Sequence, residues 1–387
     1  MQWAACVHEG CPSPRTAPLE VVRGTPHRDD PGKEPGDGRA SPRPVEDLPP
    51  STTTDRRLAP RTAPCCGAPV STPPDVLGRL LSRQDQVVSR SQLVQLGLDP
   101  HHAGRRVASG RWCRLLPSVF LSAPGPPSPR QSARAALLHG GPPSALTGRT
   151  ACRSWRLRDV ADGGPVDLLL PHELQRSGGP GLRVLRTRVP FDRSVVGGLT
   201  VVDPVRAVVD AARDGMSLRD VRALVLAAVS DEFVPLDRLL RAVDEGPRRH
   251  GALLRRAVHD AERGAVSAPE AEALDLLLPV AARLGVPLLV NPSLYVDGRL
   301  LGRPDLYLPT LALGLELDSR RHHAGVEDLD ATLRRHRAFA HHGVRLLHST
   351  PARLRGRPQE LLAEVLHEVH RPWPVPSAVR VVVLRRG

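Results

Sequence analysis

The apolar positions of this chain divide it into blocks with different periods. From Met1 to about Pro74 no apolar period is present, and Pro, Gly, Ser, Thr and charged residues dominate. Such a segment buries too little apolar surface to offset its chain entropy, so the pattern predicts a disordered tail over residues 1–74. A start of translation further downstream is an open alternative, under which the segment has no structural meaning.

The first helical pattern follows this tail. Apolar residues recur there at helical spacing, at Val76, Leu77, Leu80 and Leu81. A second short helix is predicted from Ser91 to Leu96, and Asp99 suits the N-cap of a third helix, which Gly110 ends. Weak alternation from Trp112 to Leu121 predicts a strand hairpin. Three helices followed by a hairpin is the order of a winged helix-turn-helix, so we predict such a DNA-binding domain over 75–123.

The next block, residues 124–266, mixes helical and strand patterns without a cluster of chemically active residues. Its pattern predicts helices near 128–139, 205–213, 218–229 and 236–243, and strands near 166–170 and 182–188. We interpret it as a connecting α+β region.

The last block, residues 267–372, has a sharper order. Ser267 is predicted to cap a helix that runs to Leu284, and a turn at Asp297-Gly298 separates the first two strands of a meander. The predicted strands are 288–296, 299–308, 311–318 and 344–348, with a helix before the fourth strand that ends near 342 and a final helix over 358–370. This is the order of a restriction-endonuclease-like α/β core, and 373–387 is predicted to be a tail. The whole chain is therefore expected to be an α+β multidomain protein.

Two acidic residues of the predicted meander face each other. If its turn pairs Leu308 with Leu313, Asp305 lies directly opposite Glu316, with their Cβ atoms about 4.5–5.5 Å apart. Asp318, two residues after Glu316, points to the same face. Opposed carboxylates are unfavourable unless something binds between them, and a hard divalent cation such as magnesium or manganese would do so. The alternative is a solvated strand face whose acids pair with neighbouring arginines.

The third predicted helix carries a basic outer face. Ala103 and Val107 would face the core, which leaves four side chains for phosphates and base edges in a DNA major groove: His101, His102, Arg105 and Arg106. Arg111 and Arg114 flank Trp112 at the start of the predicted wing, a position suited to DNA backbone or minor-groove contacts. An ordinary arginine-rich surface helix is the alternative.

The charge balance favours a polyanionic partner. Lys and Arg total 54 against 41 Asp and Glu, a formal net charge of +13. Lys33 is the single lysine, so a genome rich in G and C, which favours arginine codons, would account for the same composition. The six cysteines form no C-x-x-C pair, which argues against a zinc site or a disulfide framework. No apolar run is long enough to cross a bilayer, and we expect a cytoplasmic protein.

Two segments resemble known families. The stretch from Val87 to Leu93 together with that from Ser109 to Phe120, which contains Ser-Gly-Arg-Trp and Pro-Ser-Val-Phe, resembles the N-terminal winged-helix domain of the AbiEi-type antitoxins of type IV toxin–antitoxin systems. This resemblance implies binding to double-stranded operator DNA, a regulatory role and a toxin protein as partner.

The second resemblance covers about the last third of the chain. Ser267 to Glu270, Arg303 to Asp305, Leu315 to His323 and Gly343 to Leu347 are similar to an uncharacterised family related to the very-short-patch-repair endonucleases, within the PD-(D/E)xK superfamily. It implies a metal-dependent DNA endonuclease whose catalytic lysine is missing here. Two positions depart from the family pattern: Ser319 replaces a glycine, and the acidic residues of the following helix are replaced by Arg335, His336 and Arg337.

The second resemblance also implies a set of site residues. Asp305 and Glu316 bind magnesium or manganese, Asp318 belongs to the same catalytic group, and Glu270 supports the site from the first helix. His322 or its neighbour His323 helps to activate water in place of the lysine, since an imidazole is partly neutral at cytoplasmic pH. An exposed turn is the alternative for the two histidines. Arg320 and Arg321 are better suited to hold phosphate.

Two functions of different class follow. The chain is a metal-dependent DNA endonuclease directed by its winged helix, or it is a non-catalytic regulator or antitoxin whose nuclease-like domain only binds.

Overall fold

A computed structural model describes residues 19–20, 74–213, 215–246, 251–318, 326–375 and 378–382. Its helices and several separate sheets confirm a mixed α+β chain. Apart from a two-residue strand, β1 (Leu19–Glu20), and Pro74, which begins the first helix, the tail predicted over 1–74 lies outside the described residues. Within the described ranges no helix combines the length and the apolar character needed to cross a membrane.

The first block contains three helices and a small antiparallel sheet. Its elements are α1 (Pro74–Arg83), β2 (Val87–Ser89), α2 (Arg90–Gln95), α3 (His102–Ala108), β3 (Cys113–Leu116) and β4 (Val119–Leu121). The sheet order is β2-β4-β3. Ser89 and Gln92 form a capping box at the start of α2. The block closes over its own apolar cluster, with Val88, Phe120 and Trp112 at the centre.

The start of α3 differs from the prediction. Asp99 is not its N-cap, because the helix begins at His102 and His101 occupies the capping position without a side-chain hydrogen bond. The Asp99 carboxylate instead accepts a hydrogen bond from the backbone N–H of His101 at 2.8 Å, and its carbonyl accepts one from His102. Asp99 therefore closes a turn before the helix, as Asp side chains commonly do.

The second block is a five-stranded sheet followed by helices. Its elements are α4 (Pro129–Gly140), β5 (Ala145–Leu146), α5 (Gly148–Ser154), β6 (Val166–Pro171), β7 (Leu182–Thr187), β8 (Arg193–Val196), β9 (Leu199–Val202), α6 (Pro204–Ala212), α7 (Leu218–Ser230), α8 (Leu236–Asp244) and α9 (Ala252–Glu262). The sheet order is β7-β6-β5-β9-β8. All six predicted elements are present, and β5, α5, β8, β9 and α9 were not predicted.

The third block carries the acidic residues. Its elements are α10 (Ala268–Leu284), β10 (Leu289–Val290), β11 (Ser293–Val296), β12 (Arg299–Gly302), β13 (Leu306–Leu308), β14 (Leu313–Leu317), α11 (Val326–His341), β15 (Arg345–Ser349), α12 (Pro351–Gly356), α13 (Pro358–His370) and β16 (Val379–Val382). Ser267 caps α10, as predicted, by accepting the backbone N–H of Glu270.

The predicted meander is split between two sheets. Strands 288–296 and 299–308 were each predicted to be continuous, and each is interrupted, at Pro292 and at Pro304. A proline has no N–H to donate to a ladder, so a strand commonly ends or changes partner there. One sheet has the order β10-β13-β14-β15, and the other β1-β16-β11-β12. The segment 373–387, predicted to be a tail, contains β16, which pairs with β11.

A buried arginine ties the second block to the third. Arg222 of α7 has a side chain only 3% exposed, and it donates from Nε to Asp260 of α9 at 2.8 Å. Its Nη2 lies 2.7 Å from Asp275 of α10. The apolar core is continuous across this junction, since one cluster contains residues of α7, α9 and α10 together with Leu306 and Leu315.

Replacing Arg222 with alanine is expected to destabilise the fold by on the order of 3–5 kcal/mol, because the buried carboxylate of Asp260 loses its counter-charge. Arg219→Ala is the matched control, since Arg219 lies on the same helix but pairs with Glu272 in an exposed bridge. The control should cost less than about 1 kcal/mol. Chemical denaturation measures both, and equal losses would contradict a special role of Arg222.

Candidate metal centre

The hairpin register places Asp305 beside Glu316. Strands β13 and β14 pair Leu306 with Leu315 and Leu308 with Leu313, which confirms the predicted register. Asp305 directly precedes β13, and its Oδ2 accepts the backbone N–H of Leu317, the neighbour of Glu316, at 2.7 Å. Asp305, at the start of β13, therefore lies beside the part of β14 that carries Glu316.

A histidine lies on the opposite side of Glu316 from Asp305 and extends the two acids into a row of polar residues across the sheet. Strand β15 runs parallel to β14, and its His348 is the register partner of Glu316. On the far side of Asp305, the backbone N–H of Asn291 donates to the Asp305 carbonyl at 2.9 Å. One level of the sheet thus carries four polar side chains in the order Asn291, Asp305, Glu316 and His348.

Glu316 is the most constrained residue of the row. It is 5% exposed, and its Oε2 accepts a hydrogen bond from Nη2 of Arg335 on α11 at 2.7 Å. Its Oε1 is buried and has no hydrogen-bond partner among the described residues. Burial raises the pKa of Glu316, and the positive charge of Arg335 opposes that shift.

Two imidazoles approach the same carboxylate. Nε2 of His336, on α11, lies 3.7 Å from Glu316 Oε2, and Nδ1 of His348 lies 4.0 Å from it. The centroids of the two rings are 4.0 Å apart. His348 Nδ1 is also 3.3 Å from Asp318 Oδ2, which brings the third predicted acid to the edge of the group.

Asp305 is held in an environment that favours its neutral form. Burial raises its pKa to about 7, and the neighbouring charges of Glu270 and Glu316 contribute in the same direction. The Leu317 N–H bond opposes this shift because it stabilises the carboxylate. Near neutral pH, Asp305 is therefore protonated in a large fraction of the molecules.

Glu270 supports the row from α10. Its Oε1 accepts from Ser267 Oγ at 2.7 Å, and its Oε2 accepts from the backbone N–H of Val266 at 2.9 Å and from Asn291 Nδ2 at 2.6 Å. The Asn291 contact links the helix start to the strand level that carries Asp305. Glu270 thus closes the first turn of α10 and fixes the sheet against it.

The predicted acids come together, whereas the predicted histidines cannot be placed. Glu270, Asp305, Glu316 and Asp318 all lie around one end of the β13–β14 hairpin. His322 and His323, like Ser319, Arg320 and Arg321, fall outside the described residues. His348 was not predicted as a site residue. His336 and Arg335 were named in the sequence analysis only as departures from a family pattern and not as site residues, although both lie against Glu316.

One group among the described residues has metal-ligand spacing. Glu316, His336 and His348 each offer one ligand atom, and these atoms lie within 4.8 Å of one another. The predicted metal pair, Asp305 and Glu316, shares only Glu316 with this group.

The basic face predicted on the third helix is present in part. Arg105, Arg111, Arg114 and His101 are exposed, and Arg106 is half-buried. Arg105 forms an ion pair with Asp99. His102 does not share the outer face as predicted, because its ring packs edge-on against Trp112 with centroids 5.6 Å apart. Burial and the nearby arginines lower the pKa of His102.

Comparison with known proteins adds little. No family model and no curated protein matches this chain. Among the solved structures that match is the Rv2827c protein from Mycobacterium tuberculosis, which is 18% identical, with a TM-score of 0.36. The match covers 51% of this chain and 78% of that one. A likeness at this score carries no argument about fold or function.

Replacing Asp305 with asparagine is expected to stabilise the metal-free protein more at pH 8 than at pH 5. The folded-state pKa of about 7 lies above the ordinary value of 3.8, so the folded chain retains a proton that the unfolded chain releases between these values. Wild-type stability therefore falls as the pH rises through this window, and asparagine removes that loss.

Chemical denaturation at both pH values in the presence of a chelator measures this difference. Asp297→Asn, at an exposed turn, is the matched control and should show no such pH dependence. If Asp305→Asn unfolds the protein, the carboxylate is a structural partner and the expectation is wrong.

Proposed function

We propose that this chain binds double-stranded DNA through residues 75–123 and that its C-terminal block is a metal-dependent, endonuclease-like domain acting on phosphodiester bonds. The observation that carries the proposal is the pairing of Glu316 with His348 on adjacent strands, with Asp305 beside them at the start of β13 and Glu270 behind them. Carboxylates gathered at one end of a hairpin are the donor set that magnesium or manganese requires.

The first block supports the DNA-binding part of the proposal. Two successive helices, α2 and α3, precede the β3–β4 hairpin, and β2 completes a sheet of order β2-β4-β3. A winged helix-turn-helix has its elements in a similar order, with the second helix in the major groove and the hairpin as the wing, and this likeness supports the proposal. Arg105 and Arg106 lie on that helix, and Arg111 and Arg114 lie at the start of the hairpin.

The chemistry proposed for the C-terminal block assigns a role to each polar residue. Asp305 and Glu316 would hold the ion, which supplies Lewis-acid stabilisation of a phosphoryl oxygen when bound. Because Lys33 is the single lysine of the chain and is remote in sequence, we assign to an imidazole the proton transfer that a lysine makes in the family pattern. Arg335 can hold a phosphate once it leaves Glu316.

A non-catalytic regulator or antitoxin is the second candidate, and one specific observation favours it. Arg335 already neutralises Glu316 through a 2.7 Å ion pair, and the Glu270 carboxylate accepts three hydrogen bonds from its own surroundings. In this arrangement each of the two acids already has a charged or hydrogen-bonding partner within the protein before any ion binds. The C-terminal block would then bind DNA or a toxin protein without cutting.

Changing Arg105 and Arg106 together to alanine is expected to weaken DNA binding and to reduce its salt slope by up to about two, since each lost phosphate contact releases about one counterion fewer. The matched control is the pair Arg238→Ala and Arg241→Ala on α8, which removes equal charge from an exposed helix elsewhere. Gel-shift titrations at several salt concentrations measure both. Equal behaviour of the two double variants would remove α3 from the DNA interface.

Supercoiled plasmid incubated with the protein and either magnesium or manganese is expected to be nicked or linearised, and Asp305→Asn should abolish this cleavage. Asp297→Asn, which changes an exposed acid in the β11–β12 turn, should cleave normally. A protein that shifts DNA in gels but cuts none with either ion would reject the endonuclease proposal in favour of the regulator.

A further inference from the structure

We infer that Glu316, His336 and His348 bind a transition-metal ion such as zinc or cobalt, in preference to magnesium, and that this ion and Arg335 compete for Glu316. The inference shares Glu316 with the proposed function but does not depend on cleavage. It concerns which ion the C-terminal block holds, whether or not the protein acts on DNA.

The donor atoms select the ion. The group offers two imidazole nitrogens and one carboxylate oxygen. Imidazole nitrogen suits zinc, copper, nickel and iron, whereas magnesium prefers an all-oxygen shell that includes several waters. Three protein ligands also leave one position of a tetrahedral ion for a water or a phosphate oxygen.

The spacing of the group requires little movement. Ligand atoms around a tetrahedral zinc ion are about 3.4 Å apart when each bond is close to 2.1 Å. Here Glu316 Oε2 lies 3.7 Å from His336 Nε2 and 4.0 Å from His348 Nδ1. All three ligand atoms lie within 4.8 Å of one another, so side-chain adjustments of about 1 Å or less on each residue would close the shell.

Two buried atoms in the group lack partners. Glu316 has a side chain only 6% exposed, yet its Oε1 accepts no hydrogen bond from the described residues. His336 Nε2 is likewise buried without a hydrogen bond in the part of the chain that the structure describes. Buried polar atoms are nearly always satisfied, so two orphans in one group point to a missing partner.

The three ligands are placed by rigid elements. Glu316 and His348 are register partners in the parallel β14–β15 ladder. His336 is fixed through Phe339, one turn further along α11, which is fully buried and packs so closely on Gly302 that a Cβ there would overlap the ring. A site on such elements is held in place before the ion arrives.

Access to the group is open on the side of the two histidines. His336 and His348 line a cleft whose other residues include Arg345, Arg371 and Trp373. An ion can therefore reach the imidazoles without any rearrangement of the sheet. The same opening allows an anionic ligand to reach the coordination position that the three protein ligands would leave free on the ion.

Arg335 acts as a competitor for the metal. Its Nη2 is 2.7 Å from Glu316 Oε2, and its side chain is 45% exposed. The guanidinium and a metal ion are alternative counter-charges for the same buried carboxylate, and repulsion disfavours both at once. Because the arginine is long and half exposed, it can turn into solvent when the ion binds.

Cobalt titration of the metal-stripped full-length chain, followed by visible absorption, tests this inference. A tetrahedral cobalt spectrum is expected, and zinc should remove it while an equal concentration of magnesium should not. His336→Gln and His348→Gln should each weaken cobalt binding by at least about tenfold. His341→Gln, an exposed position on the same helix, is the matched control and should bind as the wild type does.

Arg335→Gln is expected to tighten cobalt binding, because it removes the competing charge. This variant shifts affinity in the opposite direction from the histidine variants, so a general loss of structure cannot imitate the expected pattern. Unchanged affinity in both histidine variants would place the ion on other histidines and overturn the inference. The inference would also be overturned if magnesium displaced cobalt as effectively as zinc does, or if Arg335→Gln bound cobalt more weakly than the wild type.

The assay contains no DNA, and this keeps the two proposals separable. Cobalt binding that depends on the triad, without plasmid cleavage, leaves the metal site standing and rejects only the endonuclease. Cleavage that needs magnesium and Asp305, together with cobalt affinity that is unchanged in both histidine variants, supports the endonuclease and rejects this site.

Discussion

The buried charge of Glu316 is the constraint on which the C-terminal block depends. A carboxylate that is 5% exposed loses most of its hydration, and the fold tolerates it only with a compensating partner. Arg335 supplies a positive charge, and two imidazoles lie within 4.0 Å. Asp305, one strand away, responds to the same constraint, since its pKa of about 7 allows it to hold a proton where a second buried charge would be unfavourable.

The sheet that carries this row owes its shape to a few small or ring-constrained residues. Pro292 and Pro304 interrupt the two strands that would otherwise continue into the second sheet. Pro304 then packs against β14 at Gly314, where a Cβ would lie 3.2 Å from the Pro304 Cβ and 2.6 Å from Leu346 Cδ2. A larger residue at Gly314 would push apart the strands that align Asp305, Glu316 and His348.

The parts of this architecture that are local in sequence were predictable. The β13–β14 register followed from the turn and the period-two alternation, which act over about a dozen residues, and the Ser267 cap followed from a motif of four. A local signal did not identify where α3 begins, because an aspartate such as Asp99 can cap a helix or close a turn with the same side chain. The choice between these is decided by packing rather than by propensity.

The non-local parts were not predictable. His348 is the register partner of Glu316 only through the parallel β14–β15 pairing, and α11 lies between the two strands. No turn fixes the register of such a crossover, so nothing near either residue indicates the pairing. The same holds for β16, which pairs with β11 across most of the C-terminal block.

The competition at Glu316 also links the two candidate functions. An ion that must displace Arg335 has an apparent affinity equal to its intrinsic affinity multiplied by the fraction of molecules in which the arginine is already released. Any anion that draws Arg335 away, a DNA phosphate included, therefore strengthens metal binding, and by reciprocity the metal strengthens the binding of that anion. An endonuclease would use this coupling to take up its ion only on DNA, whereas a regulator would leave Arg335 on Glu316 and keep the domain closed around its own ion pair. The two candidates thus differ in a single exchange of cations on one buried carboxylate.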